Sequence, residues 1–347
     1  MKKLAIISLV ILIVGAFIFQ FSGSVNAKPL KLKWTTFEPD VPGSSQQAVR
    51  RFAKLVEEKT EGRVTIKVYW GGVLGKAPDF LKMIGGKGVA DGGFIIPTYH
   101  QWEIPLVAAS GLPFLTTGYR TGPDATTKLY NEWPAMQEEM KKVNVKPLWF
   151  FQPHPHWICT KEPFKKWTDL KGKKMWVAGF YQKMTTSFGV INVSMSAPEA
   201  YDAMQKGVIE GVFGNPYHTF KIFKYVEVGK YLTEWPFGGQ PVNMQGINLD
   251  VWNKISPKDQ KAIEEIAAGM NDWFVEVQDK ESIQLKEYFE KTMGCEHIRL
   301  SDEEYKWIEP KGKDIIWGSW LETAKKNGVP GEEWFKRYRA ILDSMGK

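Results

Sequence analysis

The sequence predicts an α/β fold divided into two lobes. Three observations predict it. The chain has 347 residues, and about 320 remain beyond a distinct N-terminal segment, which suggests two domains or lobes. From Leu30 to Ile96, strand-like runs alternate with helical periods, the rhythm of βαβ units on a mainly parallel sheet. Helical composition continues from Ser256-Pro257 past Gly269 to about Met293, long enough to cross both lobes.

The N-terminal segment has its own pattern. Lys2 and Lys3 precede an apolar run from Leu4 to about Phe21, and small and polar residues end at Ala27. Charge, apolar stretch and small-residue end are the three parts of a secretory signal peptide, here 1–27. The apolar run also borders on the roughly 20 residues of a spanning helix, so an uncleaved anchor is the competing reading. No Cys lies near Ala27 to carry a lipid.

Leu30–Thr36 reads as the opening strand. Ser44 or Ser45 is positioned to cap the next helix. In that helix Phe52, Leu55, Val56 and Lys59 recur at helical spacing, and Gly62 ends it. Val64–Tyr69 alternates as a strand, a helix follows from about Pro78 to Ile84, and Phe94–Ile96 is apolar. Val145–Phe151 is an aromatic strand, and Leu170–Val177 ends as another. Ser196 and Glu199 form a capping box before a helix that Gly207 stops. Val208–Phe213 is again strand-like. Two or three shorter helices are expected from Ser301 onward. The expected lobes are 28–153 with about 240–280, and 154–239 with about 281–347.

Composition excludes several functions. The formal charge of +7 is mostly spread-out Lys, without the clustering that nucleic-acid binders show, so no nucleic-acid partner is expected. Cys159 and Cys295 are far apart and read as two buried thiols, although in an oxidising compartment they could pair. His154-Pro155-His156 places two imidazoles together, but no third ligand has zinc-site spacing, and no metal or cofactor is expected. The chain lacks GxSxG, HExxH, a P-loop and GxGxxG. A hydrolytic carboxylate pair needs no motif, and Glu38, Asp40, Glu103 and Glu210 are open candidates. Each also suits a solvated or structural role. The aromatics Trp149, Phe150, Phe151, Trp157, Trp176, Phe180 and Tyr181 crowd one stretch. Most belong in a core, and some suit the wall of a small-molecule cleft.

Four elements resemble the periplasmic substrate-binding subunits of TRAP transporters, the C4-dicarboxylate-binding family. They are Gly88-Val89-Ala90-Asp91 with Gly111-Leu112-Pro113-Phe114-Leu115; Asp169-Leu170-Lys171-Gly172; Ser196 to Gly211; and Trp252 through Ser256-Pro257-Lys258-Asp259-Gln260. The resemblance spans roughly Lys31 to Ala268. It implies a two-lobed periplasmic binding protein fold, with crossing strands and a long helix spanning both lobes. It also implies a solute-binding protein of the periplasm, monomeric and without enzymatic activity. Such a protein hands a small organic solute to TRAP membrane subunits that use an ion gradient. A sensory ligand-binding component would share the fold.

The sequence departs from the family where the ligand is read. After the Asp-Leu-Lys-Gly element the family has Lys-Ile-Arg, whose Arg grips a carboxylate. Here the residues are Lys174-Met175-Trp176, and no Arg occurs between Arg120 and Arg299. A second basic contact of the family falls near Pro155 or His156. Glu210 replaces an Asp, and Asn215 matches a ligand-bonding position. The expected ligand is therefore neutral, aromatic or cationic, held among Trp176, Asn215, His156, Glu38, Phe180, Tyr181, Trp157 and Glu210. An organic acid held by other anchors, such as Lys183, His156 or backbone N–H groups, is the alternative. Export makes the first prediction: N-terminal sequencing of envelope-fraction protein finds a start at or near Lys28, whereas an intact Met1 in the membrane fraction contradicts it.

Overall fold

A computed structural model of the chain describes residues 29–346, apart from 87, 117–118, 155 and 238–240. The expected leader at 1–27 and the expected start at Lys28 lie outside the described residues. Among those described, no helix is long and apolar enough to cross a membrane.

Two sheets organise the chain. The first contains β1 (Leu30–Thr35), β2 (Val64–Tyr69), β3 (Gly92–Ile95), β4 (Val145–Phe151) and β10 (Asn243–Asn248), in the order β2-β1-β3-β10-β4. The second contains β5 (Trp157–Thr160), β6 (Lys174–Val177), β7 (Ile191–Asn192), β8 (Gly211–Asn215), β9 (Tyr231–Glu234) and β11 (Glu296–Ile298), in the order β11-β9-β5-β8-β6-β7. Both sheets are mixed. Five of the described pairings are parallel, and the other four all involve β10 or β5. Those two strands arrive from the opposite lobe. The chain passes from β4 to β5, then returns from β9 to β10. The two-lobed α/β expectation therefore holds, with antiparallel character concentrated in the strands that follow the crossings.

The helices that position the site are α1 (Ser44–Lys59), α2 (Thr121–Glu132), α3 (Tyr181–Ser187), α4 (Ala197–Gln205), α5 (Tyr217–Ile222), α6 (Pro257–Ala268), α7 (Met270–Lys291), α8 (Asp302–Lys326) and α9 (Gly331–Ser344). Ser256 Oγ caps α6 by accepting the Asp259 N–H. Gly269 then divides α6 from α7, so the long helical tract is two helices. Helix α7 spans both lobes. Phe274 packs edge-on against Phe151 of the first sheet, with centroids 5.3 Å apart. Fifteen residues on, Phe289 packs against Tyr217 of the second lobe at 5.6 Å.

Three local expectations change. Neither Ser44 nor Ser45 caps α1, which is entered through extended Gly43. Ser45 Oγ instead donates to Glu38 at 2.6 Å, and the Ser44 N–H reaches Glu281 of α7 at 3.2 Å. A carboxylate from the spanning helix thus meets an otherwise unsatisfied N-terminal donor. The C-terminal region is not uniformly short, since α8 alone has 25 residues. Finally, α9 packs on α2 of the first lobe, and Tyr338 donates to the Gly122 carbonyl at 3.2 Å. The terminal residues therefore do not all stay with the second lobe, because α9 buries Trp334, Phe335, Tyr338, Ile341 and Leu342.

An aromatic cluster supports the second sheet. Trp167 is fully buried among Phe164, Phe213, Trp235 and Tyr305. Its indole N–H donates to the Glu304 carbonyl at 3.0 Å, tying the loop before β6 to α8. Truncating a buried Trp removes both the contacts and the filled volume. Trp167→Ala is expected to cost about 3–5 kcal/mol in urea unfolding; a loss under about 1 kcal/mol contradicts this role.

Candidate functional site

A cavity of about 110 Å³ lies between the two sheets. Each part of the fold contributes a wall. Phe37 and Glu38 come from the segment joining β1 to α1, Ser44 and Ser45 from the first turn of α1, and Thr98 and Tyr99 from the segment after β3. His154, His156, Pro241 and Asn243 come from the crossing segments. Trp176, Asn215, Tyr217 and His218 come from the second lobe. Helix α7 completes the cavity with Phe274, Gln278, Glu281 and Ser282. Apolar and aromatic walls with few polar groups suit a small organic molecule.

Charge is distributed unevenly. The described lining contains no Lys or Arg, but it contains two carboxylates, Glu38 and Glu281. His218 sits between them and joins the lobes. Its Nδ1 lies 3.1 Å from Glu281 Oε1, and its Nε2 lies 3.8 Å from Glu38 Oε1, beyond hydrogen-bond reach. The fit is tight: a Cβ on Gly43 would come within 2.3 Å of the His218 ring.

These groups shift one another. Burial alone would lower the His218 imidazole, but the Glu281 hydrogen bond and the charges of Glu281 and Glu38 outweigh it and raise it. Burial opposes ionisation of Glu281, but His218 and Ser44 more than offset that and hold it low. Glu38 goes the other way. Its burial outweighs the help of His218 and Ser45, Glu281 adds repulsion, and its carboxyl is raised.

The other histidines are neutral by environment. Burial pushes His156 well below its usual value, and its Nδ1 lies 2.9 Å from the Tyr181 hydroxyl. Burial also lowers His154, which Asp279 of α7 partly offsets from 3.0 Å. The two imidazoles thus take different partners, and Pro155 between them lies outside the described residues.

The predicted site residues divide into three groups. Glu38, His156, Trp176 and Asn215 line the cavity. Trp176 is buried and its Nε1 donates to the Met195 carbonyl at 2.9 Å, so its one polar atom is committed to the protein. Among the described residues, Asn215 Nδ2 makes a long 3.5 Å contact to the Phe213 carbonyl. Tyr181 supports His156 from behind. The other three lie elsewhere. Trp157 stacks on Tyr217 at 4.8 Å and faces a neighbouring groove. Phe180 lines a separate cleft beside Trp102 and Lys183. Glu210 is partly exposed and pairs with Lys173 at 2.5 Å. Its position just before β8 puts it at the far end of that strand from Asn215, which explains why it misses the cavity.

Sequence reasoning missed His218, Glu281, Thr98 and Asn243. No spacing links residues on a loop, a short helix, a crossing strand and a spanning helix. Cys159 and Cys295 are both buried and free.

The bridge yields a pH prediction. A raised histidine favours the folded, bridged state below its unfolded value and loses that contribution as pH rises through the folded value. A lowered carboxylate contributes above its unfolded value and loses the contribution as pH falls through the folded value. The His218–Glu281 pair is therefore strongest between the lowered Glu281 and the raised His218 values. NMR titration should place His218 above about 6.5, and Glu281→Gln should lower it. An unshifted His218 in that variant contradicts the bridge.

Comparisons with known proteins agree with this architecture. Residues 43–316 match the family model described as "Bacterial extracellular solute-binding protein, family 7". The outer membrane transporter protein TsaT of Comamonas testosteroni is 26% identical over 303 residues, covering 85% of this chain and 87% of its own. A TRAP periplasmic solute-binding protein from Desulfovibrio salexigens superposes with a TM-score of 0.76 and 26% identity, over 90% of this chain and 95% of that one. A marine metagenome TRAP solute-binding protein specific for aromatic acids, solved with 3-hydroxybenzoate, reaches 0.82 at 22% identity, over 92% of this chain and all of that one (100%). With both lobes, the crossings and the interlobe cavity in place, the chain belongs to the family 7 bacterial extracellular solute-binding proteins, the periplasmic solute-binding subunits of TRAP transporters.

Proposed function

We propose that this protein captures a small organic solute that is neutral, aromatic or cationic, and delivers it unchanged to a TRAP-type membrane component. One observation carries the reading. The position where the resemblance expects a carboxylate-gripping Arg holds Trp176, and no Lys or Arg replaces it among the described lining residues. Arg recognises a carboxylate through paired N–H donors in a planar fork. An indole has one N–H, and here that N–H already serves Met195. What remains for a ligand is the ring, which stacks on aromatic groups and attracts cations.

A second reading has its own support. Solved relatives hold 3-hydroxybenzoate and benzoate, and an aromatic acid would suit the aromatic walls. Among the side chains of the described lining, the cation such a carboxylate would meet is His218, whose imidazole is held above its usual value. That imidazole is already flanked by Glu281 and Glu38, which would repel the anion. The non-carboxylate reading is therefore preferred.

Mass spectrometry of ligand released from purified protein tests the proposal, with calorimetry on Trp176→Ala. The expected result is a non-carboxylate solute, recovered unchanged, whose affinity falls more than tenfold in the variant, as loss of about 2 kcal/mol of cation–π contact implies. X-ray scattering should show a smaller radius of gyration with ligand, since a bridging ligand favours the closed state. Tight succinate, malate or benzoate binding that survives Trp176→Ala sinks the reading.

A further inference from the structure

We propose that Glu38 is the specificity-determining anchor for a protonated amine, so that the solute is an organic ammonium ion with an apolar or aromatic body. The inference rests on the non-carboxylate reading above and narrows it.

The geometry isolates one negative charge at the cavity wall. Glu38 is only 5% exposed and carries no Lys or Arg partner among the described residues. One oxygen accepts the Ser45 hydroxyl at 2.6 Å. The other faces His218 Nε2 at 3.8 Å and forms no hydrogen bond with it. The His218 charge is spent on Glu281, which is bonded at 3.1 Å and held by the Ser44 N–H. With both carboxylates ionised, two negative charges against one imidazolium leave one net negative charge, and Glu38, which His218 approaches only to 3.8 Å, is the member without a bonded cation. Buried charge of this kind is retained at a cost unless something compensates it.

The same cavity offers acceptors and π faces to a cation. Asn243 Oδ1 and Thr98 Oγ1 are buried there without a hydrogen-bond partner among the described residues. An ammonium ion is a donor only, so it matches an unmatched carboxylate and an unused amide oxygen. Trp176 and Tyr217 lie in the same wall, where aromatic faces attract a cation. An alcohol would satisfy the hydrogen bonds but leave the charge. A carboxylate would add a like charge to it.

The charge balance also sets the pH response. Glu38 must be ionised to hold a cation, and burial has raised it. His218⁺ repels a cation, and its proton leaves as pH rises. Glu281 is held low and stays ionised. The remaining titratable groups on the wall stay neutral: burial lowers His154 and His156 and raises Tyr99 and Tyr217. Both active groups therefore push the same way, and amine affinity rises with pH.

Three isosteric probes test this by calorimetry: benzylamine, benzyl alcohol and benzoate, on wild type, Glu38→Gln and Glu38→Asp. Benzylamine should bind about tenfold or more tighter than the alcohol, and the alcohol tighter than benzoate. Glu38→Gln should erase the amine preference, and Glu38→Asp should keep it. Wild-type benzylamine affinity should rise from about pH 5 to about pH 8. That measurement stands even if a variant fails to fold. The proposal is overturned by any of four results: no benzylamine binding at millimolar concentration, equal or tighter binding of the alcohol or benzoate, a pH-independent amine affinity, or an amine preference that survives in folded Glu38→Gln. A neutral solute recovered from the purified protein overturns this inference alone. A tightly held carboxylic acid overturns the non-carboxylate reading as well.

Discussion

The pairing of the two crossing segments constrains everything else in this molecule. As the chain leaves the first lobe, Phe151 at the end of β4 sits opposite Asn243 at the start of β10. As it enters the second, Trp157 at the start of β5 sits opposite Glu234 at the end of β9. The outgoing and returning strands are thus antiparallel neighbours on both sides of the gap. The first sheet takes β10 only after the chain has built β5 to β9 in the other lobe, and the second takes β11 only after the chain has returned to the first, so neither sheet is filled by a single continuous piece of chain. The antiparallel pairings in otherwise parallel sheets follow directly from this threading. So does the cavity, whose crossing wall is the short stretch between the paired ends, with His154, His156 and Asn243 on it.

Helix α7 adds a second tie, and it is a charged one. It reaches from the first sheet to the second lobe and passes the cavity on the way. Gln278 donates to the Gln152 carbonyl at 3.1 Å just beyond β4, fixing the helix to the crossing. One turn later Glu281 meets His218 from the second lobe and the Ser44 N–H from the first. A single carboxylate therefore joins three parts of the fold. Such a buried pair gives little net stability, because desolvation offsets most of the attraction. Its effect is geometric. It fixes where His218 sits, and so leaves Glu38 facing an imidazole whose charge is already matched.

Much of the fold was legible because it rests on local patterns. The alternation at Val64–Tyr69, the Ser196–Glu199 box and the Ser256-Pro257 start each need only a few neighbouring residues, and each produces its element. Glu199 accepts the Ser196 N–H at 2.7 Å, as that spacing implies. The cavity was only half legible. Trp176, Asn215 and His156 came from the family resemblance, which sets them at ligand-reading positions. Glu38 was visible as a carboxylate in a loop, but nothing local shows that it is buried. His218 and Glu281 are joined by tertiary contact across 63 residues, and no periodicity reports such a contact. The misplacement of Phe180 and Trp157 has the opposite cause. Aromatic richness identifies apolar surroundings but not which of several adjoining clusters a ring enters, and these two rings enter neighbouring clefts. The Ser44 and Ser45 caps failed because α1 is entered at Gly43, the Ser45 hydroxyl goes to Glu38 seven residues away, and the Ser44 N–H goes to Glu281, a distant carboxylate absent from any local window.

In the proposed reading, Trp176 at the place where the resemblance expects an Arg and the burial of Glu38 have one electrostatic logic. A clamp that closes over a ligand removes water from every charge on its walls, and an unpaired charge then costs several kcal/mol. A wall with a cation suits an anionic ligand because closure pairs the two. Here the sign is reversed. In the proposed reading, the position where the resemblance expects an Arg carries a neutral indole, Trp176, and the carboxylate without a bonded cation, Glu38, lies on the opposite lobe. Closure around an anion would bring like charges together in a medium with little screening. Closure around a neutral molecule would leave Glu38 unpaired. On the proposed reading, a positive ligand lets the closed state gain from an ionised Glu38. Trp176 and Glu38 lie on different lobes, so a ligand that touches both is also one whose binding holds the lobes together.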